Sequence, residues 1–171
     1  RARFVHIVRD ARAVVASLLD QDWLDPSTGQ RIEYCQNADA AARYWTTMIH
    51  TARQQAYSLD GRMLEVRYED LVTAPRETMQ RVLAFLGEPW DEQVLQHERS
   101  GVAVSSLESS TSQIADAVHT RSLERWRARL SASQIQTVEA IAGPLLRELN
   151  YMEESFEVPD LGGGLGILEA V

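Results

Sequence analysis

The chain has 171 residues, enough to bury a sizeable core in one domain, and its 44% hydrophobic and 25% charged residues are those of an ordinary globular protein. A formal net charge of −8 makes it a poor general binder of nucleic acid, so any anion it holds must be held by a few locally placed cations. No apolar run approaches the roughly 20 residues that span a bilayer, and the single cysteine, Cys35, excludes an intrachain disulfide and suits a reducing, cytoplasmic compartment.

Phe4–Val8 is short, apolar and rich in β-branched residues, which predicts a buried strand. Residues 11–19 carry apolar side chains at helical spacing. Residues 22–30 hold Asp, Pro, Ser and Gly and read as a loop. A second helix is expected over 39–57, with Tyr44, Trp45, Met48 and Ile49 supplying bulk. Asp60-Gly61 is a turn, and 63–68 reads as a second strand. Pro75 opens another helix and Gly87 ends it. Residues 100–118 are rich in Ser, Thr and Ala, a long connection of the kind that carries function. Ser131 and Gln134 form a capping-box pattern ahead of a last helix, with Ile135, Val138, Ile141, Leu145 and Leu149 on one stripe and a kink expected at Gly143-Pro144. Residues 152–171 are acidic and glycine-rich and read as a flexible tail.

Strand, two helices, strand, helix is an α/β order with a right-handed crossover between parallel strands. Two strands make a poor sheet. The chain has no initiator methionine and opens almost directly on a core strand, so residues 1–151 are expected to be the C-terminal portion of a larger domain whose other strands lie upstream.

The first strand ends at Arg9, and a helix starts at Asp10 or Ala11. Ligands of open α/β sheets bind beyond the carboxyl ends of the strands, and a helix N-terminus offers N–H groups and a positive dipole end. Ser17 lies two helical turns further on, so a guanidinium fork and a hydroxyl could grip one phosphate together. The same residues allow a plainer arrangement, with Arg9 paired to Asp10 and Ser17 a small buried residue. Both stay open on spacing alone.

"HIVRDARAVVAS" resembles the 3′-phosphate-binding segment of sulfotransferases that use 3′-phosphoadenosine-5′-phosphosulfate (PAPS), with Arg9 and Ser17 at the phosphate-holding positions. "VRYEDLVTAPRETMQRVLAFLGEPW" resembles the Tyr-Glu-Asp-Leu segment of that family, which implies that Tyr68 lies near the adenosine end. "SSTSQI", "SLERWRARLS" and "IAGPLLRELNY" resemble the C-terminal part of protein-tyrosine sulfotransferases and their bacterial relatives. That resemblance implies a P-loop-NTPase-like three-layer fold with a parallel sheet and a mostly helical C-terminal part. It implies a cofactor contact near the transferring group for Ser110, and a loop over the nucleotide that includes Thr111, Ser112, Gln113 and His119. Arg125 takes the place of a lysine that contacts phosphate.

The chain departs from the pattern in places. A further arginine four residues after the serine is here Gln21, so that contact is lost or made by Arg12 or Arg121. The glycine-rich 5′-phosphosulfate loop and the glutamate base have no counterpart and are expected upstream of residue 1. The resemblance thus implies sulfuryl transfer from PAPS, with 3′-phosphoadenosine-5′-phosphate (PAP) as product, to a hydroxyl acceptor: a protein tyrosine, a sugar or a small molecule. The isolated chain is expected to be inactive, and an exposed sheet edge would favour a homodimer. A non-catalytic PAP-binding module and a P-loop nucleotide kinase are the competing readings. No metal is implied, since His6, His50, His97 and His119 make no ligand motif.

Other polar residues have ordinary explanations. Glu69 and Asp70 are expected to cap the next segment or pair with Arg67 and Arg76. Trp45, Trp90 and Trp126 are expected to pack in the core or beside the cofactor, and Trp126, beside Arg125, is the best candidate of the three for touching adenine. Cys35 reads as structural, and Arg121, Arg125, Arg127 and Arg129 would otherwise be a solvated helix face.

Overall fold

Three β-branched residues, Val5, Ile7 and Val8, favour extended backbone and form β1 (Phe4–Val8). The computed structural model describes residues 2–96 and 123–152. β1 pairs in parallel with β2 (Met63–Arg67), in a register running from Phe4↔Met63 to Val8↔Arg67. The crossover between them holds α1 (Ala11–Leu19), a short 3-10 turn at Glu33–Cys35 and the long α2 (Ala38–Tyr57). Asp10 caps α1 by accepting the Arg12 N–H at 2.8 Å, and Asn37 caps α2 by accepting the Ala40 N–H at 2.9 Å. The 22–30 loop is pinned by an antiparallel bridge between Leu24 and Arg31. Asp60 and Gly61 both take positive φ, 49° and 72°, to bring the chain into β2.

The second strand stops one residue earlier than its pattern suggests. Tyr68 starts a short helix that the sequence does not announce, α3 (Tyr68–Thr73). The ladder ends at Arg67, and Glu69 and Asp70 in the first turn suit a helix N-terminus. α4 (Pro75–Leu86) follows and stops at Gly87, whose left-handed φ of 82° lets the chain reverse. After a 3-10 turn at Glu92–Leu95 come α5 (Trp126–Arg129) and α6 (Ala132–Glu148). The Ser131–Gln134 capping box is formed on both sides, and α6 continues past Pro144. The α6 end is a Schellman turn: the Asn150 and Tyr151 N–H groups donate to Arg147 and Leu146 carbonyls while Asn150 takes φ 56°.

The core lies between α1, α2 and α6, where Val15, Cys35, Trp45, Ile49, Val138 and Leu146 are buried. β1 is less buried than expected. Only Val8 is enclosed, while Phe4, Val5 and Ile7 are exposed, because no described element covers their side chains. The 100–118 connection and residues 153–171 of the expected tail lie outside the described residues. Among the described residues no helix is long and apolar enough to cross a membrane.

Candidate functional site

The strand register builds the site. Because β1 and β2 end together at Val8↔Arg67, the residues that follow the two strands, Arg9 and Tyr68, emerge side by side at the carboxyl edge. The Arg9 guanidinium carbon lies 4.7 Å from the centre of the Tyr68 ring. Stacking uses the face of a guanidinium and hydrogen bonding uses its edge, so a ring-stacked arginine remains a fork for an oxyanion. Ser17 is exposed on α1, across the helix from the buried Val15. Gln21, one turn on, turns back and donates to the Ser17 carbonyl at 3.2 Å. The structure therefore brings Arg9 and Tyr68 together and keeps Ser17 on the open side of the helix that Arg9 leads into.

The start of α1 is occupied by the protein's own charges. Asp10 is 6% exposed and Arg12 8%. Arg12 Nη2 meets Asp10 Oδ2 at 2.7 Å and the Tyr151 carbonyl at 2.8 Å, and Arg12 Nη1 meets Glu139 at 3.0 Å. Burial alone would lower the Arg12 pKa; hydrogen bonds and the charges of Asp10 and Glu139 outweigh it and hold it above the ordinary value. Two expectations are corrected here. Arg12 is a structural cation and cannot replace the arginine missing at Gln21. The Asp10 carboxylate, not an incoming anion, fills the α1 N-terminus, so an anion there would depend on Arg9 and Ser17 side chains. Trp126 packs in the core as expected, and only its candidate contact with adenine is corrected. It is 4% exposed, between the guanidinium groups of Arg12 at 4.3 Å and Arg127 at 4.4 Å, and has no face left for adenine.

Glu69 pairs with neither Arg67 nor Arg76. Its Oε1 accepts the Asp10 N–H at 3.1 Å, and its Oε2 accepts the Tyr151 hydroxyl at 2.6 Å. Asp70 does meet Arg67, at 3.5 Å, whereas Arg76 binds Glu92 and stacks on the half-buried Trp90. Burial, then the bond to Glu69, pushes the Tyr151 phenol well above its ordinary pKa, so it stays a donor. Trp45 is packed as expected, yet its Nε1 also donates to the Arg9 carbonyl at 3.0 Å. Sequence reasoning gave no role to Tyr151 or to the Trp45 N–H. The one available signal was that Tyr151 closes the third matching segment.

Beside these residues opens a cleft of about 630 Å³ lined by Asp10, Arg67, Glu69, Trp126, Arg127 and Tyr151. A larger hollow, about 1060 Å³, lies near the amino end of β2 around His50, Arg53 and Tyr57, away from Arg9. Arg125 is exposed and immediately precedes α5. Ser110, Thr111, Ser112, Gln113, His119, Arg121 and His97 lie outside the described residues. Cys35 is fully enclosed, and burial raises its thiol pKa, consistent with a structural role.

The family model described as "Sulfotransferase family" matches residues 1–92, which contain β1, α1, α2, β2 and α4. The chain is 31% identical over 155 residues to protein-tyrosine sulfotransferase 1 of Danio rerio, covering 88% of this chain and 42% of the relative. It is 29% identical over 167 residues to the protein-tyrosine sulfotransferase of Drosophila melanogaster, covering 94% and 32%. Protein-tyrosine sulfotransferase 1 of Homo sapiens matches at 31% over 156 residues, 88% and 40%. These relatives are animal proteins, and the chain spans about a third to two-fifths of their length. The matched region holds Arg9, Ser17 and Tyr68 in one ordered frame, and the chain belongs to the sulfotransferase family.

Proposed function

We propose that the protein carrying this chain transfers a sulfuryl group from PAPS to a hydroxyl acceptor, and that this chain supplies the 3′-phosphate and adenosine grip. The observation that carries this reading is the meeting of Arg9 and Tyr68 beyond the carboxyl ends of two parallel strands, with Ser17 exposed on the helix that follows. PAPS would bring the sulfuryl group itself. Arg9 binds the 3′-phosphate through its guanidinium edge, Ser17 adds a hydroxyl donor, and Tyr68 both supports Arg9 and offers a ring to the adenosine end.

Ser110, Thr111, Ser112, Gln113 and His119 complete the cover over the nucleotide in this proposal, and Arg125 adds a cation. The exposed Phe4, Val5 and Ile7 support a larger P-loop-like sheet, because parallel sheets are ordinarily covered on both faces. The acceptor is a hydroxyl of a protein tyrosine, a sugar or a small molecule. The names of the relatives favour tyrosine.

The test is calorimetry of PAP binding to the protein as encoded by its open reading frame. Arg9→Ala should weaken PAP binding about a hundredfold, the value of a bidentate charge-assisted contact. Adenosine 5′-monophosphate, which lacks the 3′-phosphate, should bind both forms alike. An unchanged PAP dissociation constant in the variant would refute the assignment.

A further inference from the structure

Arg9 joins the end of β1 to the start of α1. The β1 ladder ends at Val8, and the α1 ladder has not begun. Buried backbone groups at such a junction need other partners, and here three side chains from distant parts of the chain provide them. The Tyr151 hydroxyl lies 3.1 Å from the Val8 carbonyl. Trp45 Nε1 donates to the Arg9 carbonyl at 3.0 Å. Glu69 Oε1 accepts the Asp10 N–H at 3.1 Å and Glu69 Oε2 accepts the Tyr151 hydroxyl at 2.6 Å.

These contacts have a specific mechanical meaning. The Arg9 carbonyl and the Asp10 N–H belong to one planar peptide unit, held at its oxygen by Trp45 and at its nitrogen by Glu69. The Val8 carbonyl belongs to the preceding unit, and Tyr151 holds that one. Two planes that flank a single Cα define its φ and ψ, so fixing both sets the direction in which the Arg9 side chain leaves the backbone. The Tyr151 hydroxyl has one proton and two acceptors. The shorter contact, to the carboxylate, takes the greater share.

We propose that Glu69, Tyr151 and Trp45 are positioning residues for the anion grip, acting through the Arg9 backbone; this rests on the reading of Arg9 as the 3′-phosphate ligand. None of the three needs to touch the nucleotide. They join the three segments whose sequences resemble the family: the first through Val8 and Asp10, the second through Glu69 and the third through Tyr151.

The experiment measures dissociation constants for PAP and for adenosine 5′-monophosphate, with melting temperatures, in the protein as encoded. Tyr151→Phe keeps the ring over which Arg67 stacks and removes only the hydroxyl. It should weaken PAP binding about tenfold, the worth of one net hydrogen bond, and change adenosine 5′-monophosphate binding by less than about twofold. Glu69→Leu should do the same. Glu69→Gln should recover most of that loss, since its amide oxygen can accept from Asp10 and its amide N–H can donate to Tyr151, leaving the phenol proton for Val8. In an Arg9→Ala background, Tyr151→Phe should have no further effect on PAP.

PAP affinity unchanged in both Tyr151→Phe and Glu69→Leu, with Arg9→Ala still weakening it about a hundredfold, would overturn the positioning role alone. Equal weakening of both nucleotides would assign these residues to general stability and overturn it too. If Arg9→Ala leaves PAP binding intact, the cofactor reading fails and the positioning role with it.

Discussion

Arg12→Met removes a buried cation and leaves its carboxylate behind. The Arg12 and Asp10 side chains are each 9% exposed, so solvent screens their pair weakly. Without Arg12, Asp10 retains one bond, from the backbone N–H of residue 12. Breaking a buried ion pair by removing one partner costs about 3–5 kcal/mol. Glu139 is 30% exposed and adds little, because water can take over its solvation. Methionine preserves apolar contact with Trp126, so the loss measures the charge and not the stem. For a chain of this size each kcal/mol moves the midpoint by about 2–4 °C, and the expected drop is about 6–20 °C. Urea unfolding and a thermal melt both report it. Asp10→Asn in the same protein should restore part of the stability, since no unpaired charge then remains. A loss below about 1 kcal/mol, the ordinary worth of an exposed pair, would show that the Asp10–Arg12 pair is wet and that the reasoning about the α1 start is wrong.

Further outcomes follow from other residues. Gly87→Ala should cost about 1–2 kcal/mol in urea unfolding, because φ is 82° and the new Cβ would lie 3.2 Å from Arg3 Nη1; a neutral substitution would refute the left-handed cap. The Arg53 hydrogen bond holds the Glu65 carboxyl below its ordinary value of 4.5, against the opposing effect of burial. Its stabilising effect is therefore fully present above that value and lost as pH falls through the lower folded pKa. Glu65→Gln should flatten the fall in melting temperature on the acid side, and an identical slope in both proteins would exclude Glu65 as a contributor. Cys35 should react with a thiol reagent only as fast as the protein unfolds, and rapid labelling in native buffer would contradict its burial.

Local chemistry made many elements readable before any coordinates. Asp10, Gly87 and the Ser131–Gln134 box each start or end a helix through bonds to their own neighbours, Pro75 starts one through its fixed φ, and each does so in the structure. α3 was not readable, since Tyr68, Leu71, Val72 and Thr73 suit a strand as well, and only the end of the ladder at Arg67 decides. Of the candidate site, Arg9 and Tyr68 were legible through resemblance, and the strand register supplies their contact. Glu69 was misjudged because its partners are 59 and 82 residues away, beyond the reach of any local pattern. Arg12, and Trp126 in its adenine-contact reading, looked available because a sequence does not state burial. Their enclosure depends on α5 and α6 packing against α1.

The Schellman turn at Asn150 has a consequence for how the protein reaches its active shape. It directs Tyr151 back to Val8, a closure between positions 143 residues apart. Closing so long a loop has an entropic cost that only the assembled core can offset, and contacts of that span form late in folding. Residue 9 can leave its strand early, yet its final orientation waits for the end of α6. A chain stopped after residue 149 would keep Arg9, Ser17 and Tyr68, and would lack the last contact that fixes where Arg9 points.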